Sequence, residues 1–480
     1  MKKYKDLICL IIASLIVLAF LLINSIGTLG TSATRLIGIF IGTVFLWITI
    51  GISWPSLFGM LALAFLIPEV SMKDMISGSV GNPAITFLIF TFCCSYALNQ
   101  TSFTKRVAIW FLSVPAARTK PLVFVVLYFC SVLALGSFMS STVIVLIYLT
   151  INDEIFHLLH LHPGDSFAKM MTAGLVITAS ISGAMTPIAH VFPIVALSTY
   201  KNISGSNISY AEYMAGGIPA ALISVICMTL ILMALLHPNL SILQNLDMNC
   251  LKKDIKPADR RERAITLIFL GVVVLWVLPD LLKNVSPTFF GKINDMGTAM
   301  PSMLGTLLLC VLQADGKPLL DFRDGLKSVP WDCLFMAASA LALGSAISNK
   351  DIGLSTFIST QLEPVIRALS GIALVFILIL ITGIMTNIGS NMVTVTIVCT
   401  VALPIAIASG SVNAAALAAV LGMASSYAFA TPPAMTTVPL GISSGWITAT
   451  DMAKYGFMVL VPCILSISCI AYPIIAMVVR

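Results

Sequence analysis

The sequence has 480 residues, of which 59% are hydrophobic and only 10% charged. In soluble globular domains about a quarter of the residues are charged. The composition therefore excludes a soluble globular protein and is typical of a polytopic helical membrane protein. The formal net charge of +6 does not indicate a nucleic-acid partner, because the basic residues cluster between apolar runs.

The chain opens with a basic head followed by about twenty apolar residues, the length of one membrane crossing. We expect residues 1–33 to contain a first membrane helix. A cleaved signal peptide is the alternative, but the apolar run is long and no small-x-small cleavage site follows it. The eleven cysteines lie almost entirely within apolar runs and form no CxxC pair, which predicts small buried residues.

Further apolar runs are long enough to cross a membrane. They lie at about 34–52, 54–68, 83–98 and 215–236 in the first half, and at about 264–282, 296–313, 331–348 and 455–479 in the second. Residues 99–120 mix basic and aromatic residues, which predicts an amphipathic helix in the membrane interface, with an ordinary loop as the alternative. Residues 350–367 predict a second interfacial segment.

Two longer apolar runs, 121–160 and 368–409, are interrupted by small and polar residues. The first contains Gly136 to Thr142, and the second contains Thr386 to Asn391. Irregular backbone survives in a bilayer only where it lines a protein-enclosed cavity, so each run predicts a re-entrant hairpin with a polar tip. For either run alone, a single kinked helix with its hydroxyls bonded to the preceding turn is an open alternative.

The interruptions recur at matching places in the two halves. Ser390-Asn391 follows Ser140-Ser141 by 250 residues, and a second Thr-Pro pair, Thr431-Pro432, follows Thr186-Pro187 by 245. Paired breaks of this kind indicate the binding site of a transporter built from inverted repeats. We therefore predict an all-α polytopic membrane protein of about eleven transmembrane helices, with two inverted repeats that each hold a re-entrant hairpin and a broken helix.

The predicted boundaries follow from these runs. Residues 34–236 form the first repeat, with its hairpin at about 121–160, and residues 264–480 form the second, with its hairpin at about 368–409. Between them, 237–263 is a basic loop that includes Lys252, Lys253 and Lys256. Basic residues favour the cytoplasmic side, so this loop and the N-terminus, with Lys2 and Lys3, are expected there, and the C-terminus outside. The expected location is the plasma (inner) membrane.

None of the twenty acidic residues lies in the middle of an apolar run. Proton pumps and sodium–proton antiporters place carboxylates at membrane depth, so this chain does not match them. Hydroxyls, the Asn391 amide and carbonyls freed at helix breaks suit Na⁺, and helix N-termini suit a carboxylate or an oxyanion. Polar residues that merely pack helices together would explain single breaks but not paired ones.

The histidines leave alternatives open. His190, just after the first Thr-Pro pair, could be a hydrogen-bond donor or proton carrier in the cavity; an interfacial histidine, or one bonded to a free carbonyl, is favoured. His157, His160 and His162 lie beside acidic residues, and a solvated loop end is favoured over a metal site.

The motifs resemble the divalent anion/sodium symporter family, which includes bacterial dicarboxylate symporters and sodium–carboxylate and sodium–sulfate cotransporters. That family carries Ser-Asn-Thr at each hairpin tip and a Thr-Pro break in the following helix. The resemblance implies substrate contacts from the tips and breaks: Ser140, Ser141, Thr142, Thr186, Pro187, Ser390, Asn391, Thr431 and Pro432. It also implies two sodium sites, one with Gly136, Ser141 and Met185 and one with Thr386, Asn391 and Ala430.

Two residues depart from the family pattern. Ser141 stands where asparagine is usual, so the first sodium site lacks its amide oxygen, and Met392 stands where a threonine hydroxyl would meet the substrate. The chain also differs after each break, where the family usually continues Pro-Asn.

The sequence predicts a secondary active transporter of di- or tricarboxylates such as succinate, malate or citrate, with sodium symport and elevator-type alternating access. The alternatives are a sodium-independent dicarboxylate exchanger and a transporter of sulfate or another oxyanion. The expected partners are the anion, Na⁺ as coupling ion, the lipid bilayer and, from the resemblance, a second copy in a homodimer. No enzymatic activity, other cofactor or nucleic acid is expected.

Overall fold

The computed structural model describes residues 4–23, 25, 27–116, 120–245, 257–282, 297–358, 360–361 and 371–479. Within these ranges the chain is helical except for loops and one two-stranded hairpin, Gln313–Ala314 with Lys317–Pro318. The prediction of an all-α membrane protein is confirmed. The helices of the first half are α1 (Lys5–Leu22), α2 (Thr31–Thr49), α3 (Pro55–Leu66), α4 (Met72–Gly78), α5 (Pro83–Asn99), α6 (Phe103–Leu112), α7 (Pro121–Gly136), α8 (Ser141–Leu158), α9 (Ser166–Met185), α10 (Val191–Ser204) and α11 (Tyr210–Leu236).

A short 3₁₀ helix, Leu240–Asn245, follows α11, and a π-helical turn, Ile467–Ala471, joins the last two helices. The helices of the second half are α12 (Arg260–Leu282), α13 (Met300–Val311), α14 (Phe322–Lys327), α15 (Trp331–Ser348), α16 (Gly371–Ile388), α17 (Asn391–Ser409), α18 (Ala414–Ser426), α19 (Thr437–Ser443), α20 (Ala449–Ser466) and α21 (Tyr472–Val478).

Eight helical spans of the described chain are long and apolar enough to cross a bilayer, and α4 with α5, bent by 40°, adds a ninth if the two form one span. Five shorter apolar helices accompany them, α7 and α18 among them. By length alone α8 and α16 could cross completely, so the division into about eleven crossings and two re-entrant hairpins stays a prediction.

The two interrupted apolar runs fold as pairs of helices that pack against each other. In the first, α7 and α8 are joined by the four-residue tip 137–140; in the second, Gly389–Ser390 joins α16 and α17. Pro121 is the first residue of α7. A backbone N–H at this position makes no hydrogen bond within the helix, so proline, which lacks one, costs nothing there. Ser390 caps α17 by accepting a hydrogen bond from Val393 N–H at 3.5 Å.

The innermost helices are α9 and α18, each of which ends at a Thr-Pro break. Every residue from Met170 to Ala184 in α9 is buried, and so is every residue from Ala415 to Ser426 in α18. Both helices are rich in alanine, glycine and serine, which allow close packing of helices in a membrane. The helices that lead to the two breaks therefore lie in the protein interior, and the breaks contact the hairpin tips.

The predicted basic loop is described at 237–245 and 257–263. Lys252, Lys253 and Lys256 lie outside the described residues, as do Lys2 and Lys3. At the end of the loop, Glu262 in α12 pairs with Arg106 in α6 at 2.9 and 3.2 Å, which joins the predicted interfacial helix to the second half.

Candidate functional site

The tip of the first hairpin is bonded to the broken helix. Ser141 begins α8, is 2% exposed, and donates its hydroxyl to the carbonyl oxygen of Ala179 in α9 at 2.8 Å. The same Ser141 oxygen lies 2.7 Å from Nε2 of His190, the buried residue just before α10. The predicted site residue Ser141 therefore contacts the side chain of another residue of the protein, the imidazole of His190.

The first break is compact and buried. Met185 ends α9 and Thr186 adopts an extended backbone, with φ −126° and ψ 154°. The Thr186 hydroxyl donates to the carbonyl oxygen of Ser137 in the hairpin tip and accepts from Ile188 N–H at 3.3 Å. Pro187 is also buried. The break and the tip of the first half thus form one hydrogen-bonded unit.

Asn387 organises the second break. Its Nδ2 donates to the carbonyl of Tyr427 at 2.7 Å, and its Oδ1 accepts from the N–H groups of Phe429 and Ala430 at 2.9 and 2.8 Å. Its backbone carbonyl accepts the hydroxyl of Thr431. One fully buried amide therefore satisfies backbone groups of three residues in the break that follows α18.

Asn387 was not among the predicted site residues, although it lies in the polar stretch that defines the second tip. The available signal was chemical: an amide offers two donors and an acceptor, which is what an interrupted helix requires. Its position, 250 residues after Ser137, also repeats the spacing of the two tips.

Asn391 lies among neutral oxygens at the start of α17 and is 4% exposed. When the amide nitrogen of Asn391 faces these oxygens, it donates a hydrogen bond to the Ala434 carbonyl at 2.7 Å. The same nitrogen lies 3.1 Å from Thr386 Oγ1 and 3.3 Å from the Thr386 carbonyl oxygen. Thr386 Oγ1 itself donates to the carbonyl of Ser425 at 2.7 Å.

Rotation of the Asn391 amide by half a turn would direct its oxygen toward the same group, so that an amide, a hydroxyl and two carbonyl oxygens converge. Uncharged oxygens of this kind suit Na⁺, so the donor set fits a sodium ion. The structure brings the predicted residues Asn391 and Thr386 together. It adds Ala434, which the sequence analysis did not place in the site.

Gly136 and Met185, the other two predicted sodium ligands of the first half, lie where neighbouring helices pack closely against them. A Cβ on Gly136 would lie 2.1 Å from Ser182 Oγ, so the end of α7 needs a residue without a side chain. The Met185 carbonyl oxygen faces α11, 2.7 Å from where a Cβ of Gly217 would lie.

Several predicted substrate residues lie at or near the protein surface around the tips. Ser140 and Ser390 are half-buried and Pro432 is exposed. Thr142 Oγ1 lies 2.8 Å from Thr436 Oγ1, which joins the first hairpin to the second break. Thr436 was not among the predicted site residues, because only the fold places it beside Thr142.

Charged groups are scarce in the described interior. Among the residues whose side chains the structure describes, Glu262 is the one buried acidic residue, and it pairs with Arg106 outside the tips. The same residues hold no group of three histidine, cysteine or acidic side chains placed to bind a metal. His157 is exposed in the last turn of α8, His160 and His162 are exposed just after it, and their interpretation as a solvated loop end stays a prediction.

Comparison with known proteins gives a family match over nearly the whole chain. The family described as "Sodium:sulfate symporter transmembrane region" matches residues 2–478. The sodium-dependent dicarboxylate transporter SdcS of Staphylococcus saprophyticus is 23% identical over 399 residues, 78% of this chain and 74% of its own. SdcS of Staphylococcus aureus is 24% identical over 371 residues, 71% of this chain and 67% of its own. The inorganic phosphate transporter PHO87 of Saccharomyces cerevisiae is 22% identical over 293 residues, 61% of this chain and 28% of its own.

Proposed function

The chain belongs to the sodium:sulfate symporter family, and from that premise we propose that it couples the uptake of a small divalent carboxylate, such as succinate, malate or citrate, to Na⁺. That it is a multi-pass membrane protein and a secondary transporter of anions follows from the family and the apolar helices. The carboxylate substrate and the sodium coupling are the proposal.

The observation that carries the proposal is the oxygen cluster around Asn391. Oxygens of Thr386 and Ala434 lie around the amide, and none of them is charged. Neutral oxygens of this kind are suitable ligands for the monovalent cation Na⁺. Asn391 also stands at the N-terminus of α17, whose free N–H groups favour a negative ligand nearby. A cation and a carboxylate bound side by side would each lower the energy of the other, which is the physical basis of symport.

The dicarboxylate is supported by the names of the Staphylococcus relatives, and an inorganic oxyanion is the second candidate. The family description names sulfate and the yeast relative carries inorganic phosphate. Hydroxyls at the tips, such as those of Ser140, Thr142 and Ser390, would donate to either kind of anion.

A sodium-independent exchanger of dicarboxylates is the alternative coupling. It is favoured by the first half, where Ser141 replaces an amide ligand and contacts His190. We also propose a plasma-membrane location with the N-terminus in the cytoplasm, a homodimer, two inverted repeats and an elevator-type motion of the hairpin tips with their broken helices.

Uptake of labelled succinate into proteoliposomes tests these alternatives. One batch has an inward sodium gradient and an empty lumen; the other is sodium-free and preloaded with unlabelled succinate. Uptake in the first batch alone supports symport, and uptake in the second alone supports exchange. Absence of labelled-succinate uptake in both batches, together with uptake of labelled sulfate or phosphate, would refute the carboxylate assignment.

A further inference from the structure

The two halves differ where the second helix of each hairpin begins. Asn391 in the second half lies among oxygens of Thr386 and Ala434. Ser141, 250 residues earlier, faces instead the imidazole of His190 at 2.7 Å. A ring therefore lies in the first half beside the position where the second half gathers oxygen ligands.

The backbone of α9 makes room for this ring. A Cβ on Gly183 would lie 2.2 Å from both Cε1 and Nε2 of His190, a distance that no real pair of such atoms tolerates. Phe192 contacts the ring edge-on, with centroids 5.4 Å apart. His190 is 6% exposed, so the imidazole is enclosed on several sides and fixed in position.

The hydrogen bonds determine which atom the ring presents. Ser141 has one hydroxyl proton, and in the arrangement where it donates this proton to the carbonyl of Ala179 at 2.8 Å, it accepts a hydrogen bond from the tautomer of His190 with hydrogen on Nε2. The N–H of His190 thus supplies Ser141 with the positive partner that a cation would otherwise provide. Nδ1 is buried without a hydrogen-bond partner among the described residues. An unpartnered buried nitrogen costs stability, so the hydrogen bonds of the ring do not by themselves explain its position.

We propose that the His190 imidazole fills the first-half ion position, so that each transport cycle carries a single sodium ion, bound around Asn391. The inference rests on the sodium-coupled dicarboxylate transport proposed above. It requires no change in the protonation of His190, because the neutral ring with hydrogen on Nε2 already satisfies Ser141. Succinate with two negative charges would then cross with one positive ion, and each cycle would move net negative charge inward.

Proteoliposomes containing the intact protein test the inference directly. Initial uptake of ²²Na⁺ and ¹⁴C-succinate is measured together, and the expected ratio is one sodium ion per succinate. The sodium dependence of uptake should have a Hill coefficient near one. An inside-negative membrane potential, set with potassium and valinomycin, should slow uptake. Two or more sodium ions per succinate, with uptake unaffected or accelerated by the potential, would overturn the inference and leave the proposed symport intact.

Succinate exchange without any sodium-dependent uptake would overturn both the inference and the proposed sodium coupling, so the two failures are distinguishable.

A double variant tests whether the ring is the cause. Ser141→Asn with His190→Ala removes the imidazole and restores an amide, and we expect a ratio of two sodium ions per succinate with loss of the sensitivity to potential. The matched control is His162→Ala, an exposed histidine outside the tips, which should keep the wild-type ratio. A ratio of one in the double variant would contradict the role of His190. If the double variant fails to fold, the wild-type ratio alone decides.

Discussion

The hydroxyl of Thr431 donates to the backbone carbonyl of Asn387, which bonds the second break to the second hairpin. Thr186 makes the same bond to Ser137 in the first half. Asn387 follows Ser137 by 250 residues and Thr431 follows Thr186 by 245, the spacings of the predicted repeat. Because the acceptor is a backbone atom, the bond persists although Ser137 and Asn387 have different side chains. The predicted duplication thus has a counterpart in equivalent hydrogen bonds.

Thr431→Val removes this bond while it preserves the shape of the side chain. A half-buried carbonyl then loses its partner, so we expect a loss of about 1–3 kcal/mol in the free energy of unfolding and a clear fall in succinate uptake. Thermal unfolding in detergent and proteoliposome uptake measure the two effects. Thr431→Ser keeps the hydroxyl and should retain most of the stability; equal losses in the two variants would contradict the assignment.

Asn387→Ala should be more damaging than Thr431→Val. It leaves the carbonyl of Tyr427 and the N–H groups of Phe429 and Ala430 without their amide partner in the protein interior. Each unsatisfied group costs about 1–3 kcal/mol, so we expect strongly reduced stability and no uptake. Asn202→Ala, at an exposed position near the end of α10, is the matched control and should behave as wild type. A stable, active Asn387→Ala protein would show that the break does not depend on this amide.

Asn391→Ala should instead affect function more than stability. Removal of the amide takes away one oxygen ligand beside Thr386, so sodium-stimulated uptake should be lost while the protein stays folded. Ser141→Ala should reduce uptake less, because the first half holds a ring and not an ion at that position. Sodium should raise the thermal unfolding temperature of wild type and Ser141→Ala but not of Asn391→Ala. Normal uptake by Asn391→Ala would refute the site assignment.

The positions of the polar tips and of the breaks could be predicted because they depend on local sequence. A polar tip within an apolar run and a Thr-Pro pair each disfavour a continuous helix through local chemistry. The first break begins at Thr186, because α9 stays helical through Met185 and the Ser182 hydroxyl bonds back to the Ala179 carbonyl at 2.8 Å within that helix.

The partners within the site could not be predicted in the same way. Ser141 meets His190 across 49 residues, and Asn391 meets the Ala434 carbonyl only because α17 and the second break fold against each other. A backbone carbonyl carries no signal in the side-chain sequence, so the sequence does not indicate Ala434 as a ligand. Its oxygen is nevertheless part of the cluster that suits a cation. A departure from a family motif therefore identifies a position at which a ligand has changed. The packing of the helices determines which group takes the place of that ligand.

Gly183→Ala tests whether the ring of His190 is held by the shape of α9. The new methyl group would lie 2.2 Å from the imidazole, so the ring must move, and we expect a loss of about 1–3 kcal/mol in stability together with reduced uptake. Gly271→Ala in α12 is the matched control, because a Cβ there meets no atom within 4 Å and alanine is the better helix former. Combining Gly183→Ala with His190→Ala removes the clash, so the double variant should be more stable than the sum of the single losses predicts. Thermal unfolding of the four proteins of this cycle gives the coupling energy, and strictly additive losses would mean that Gly183 does not position His190.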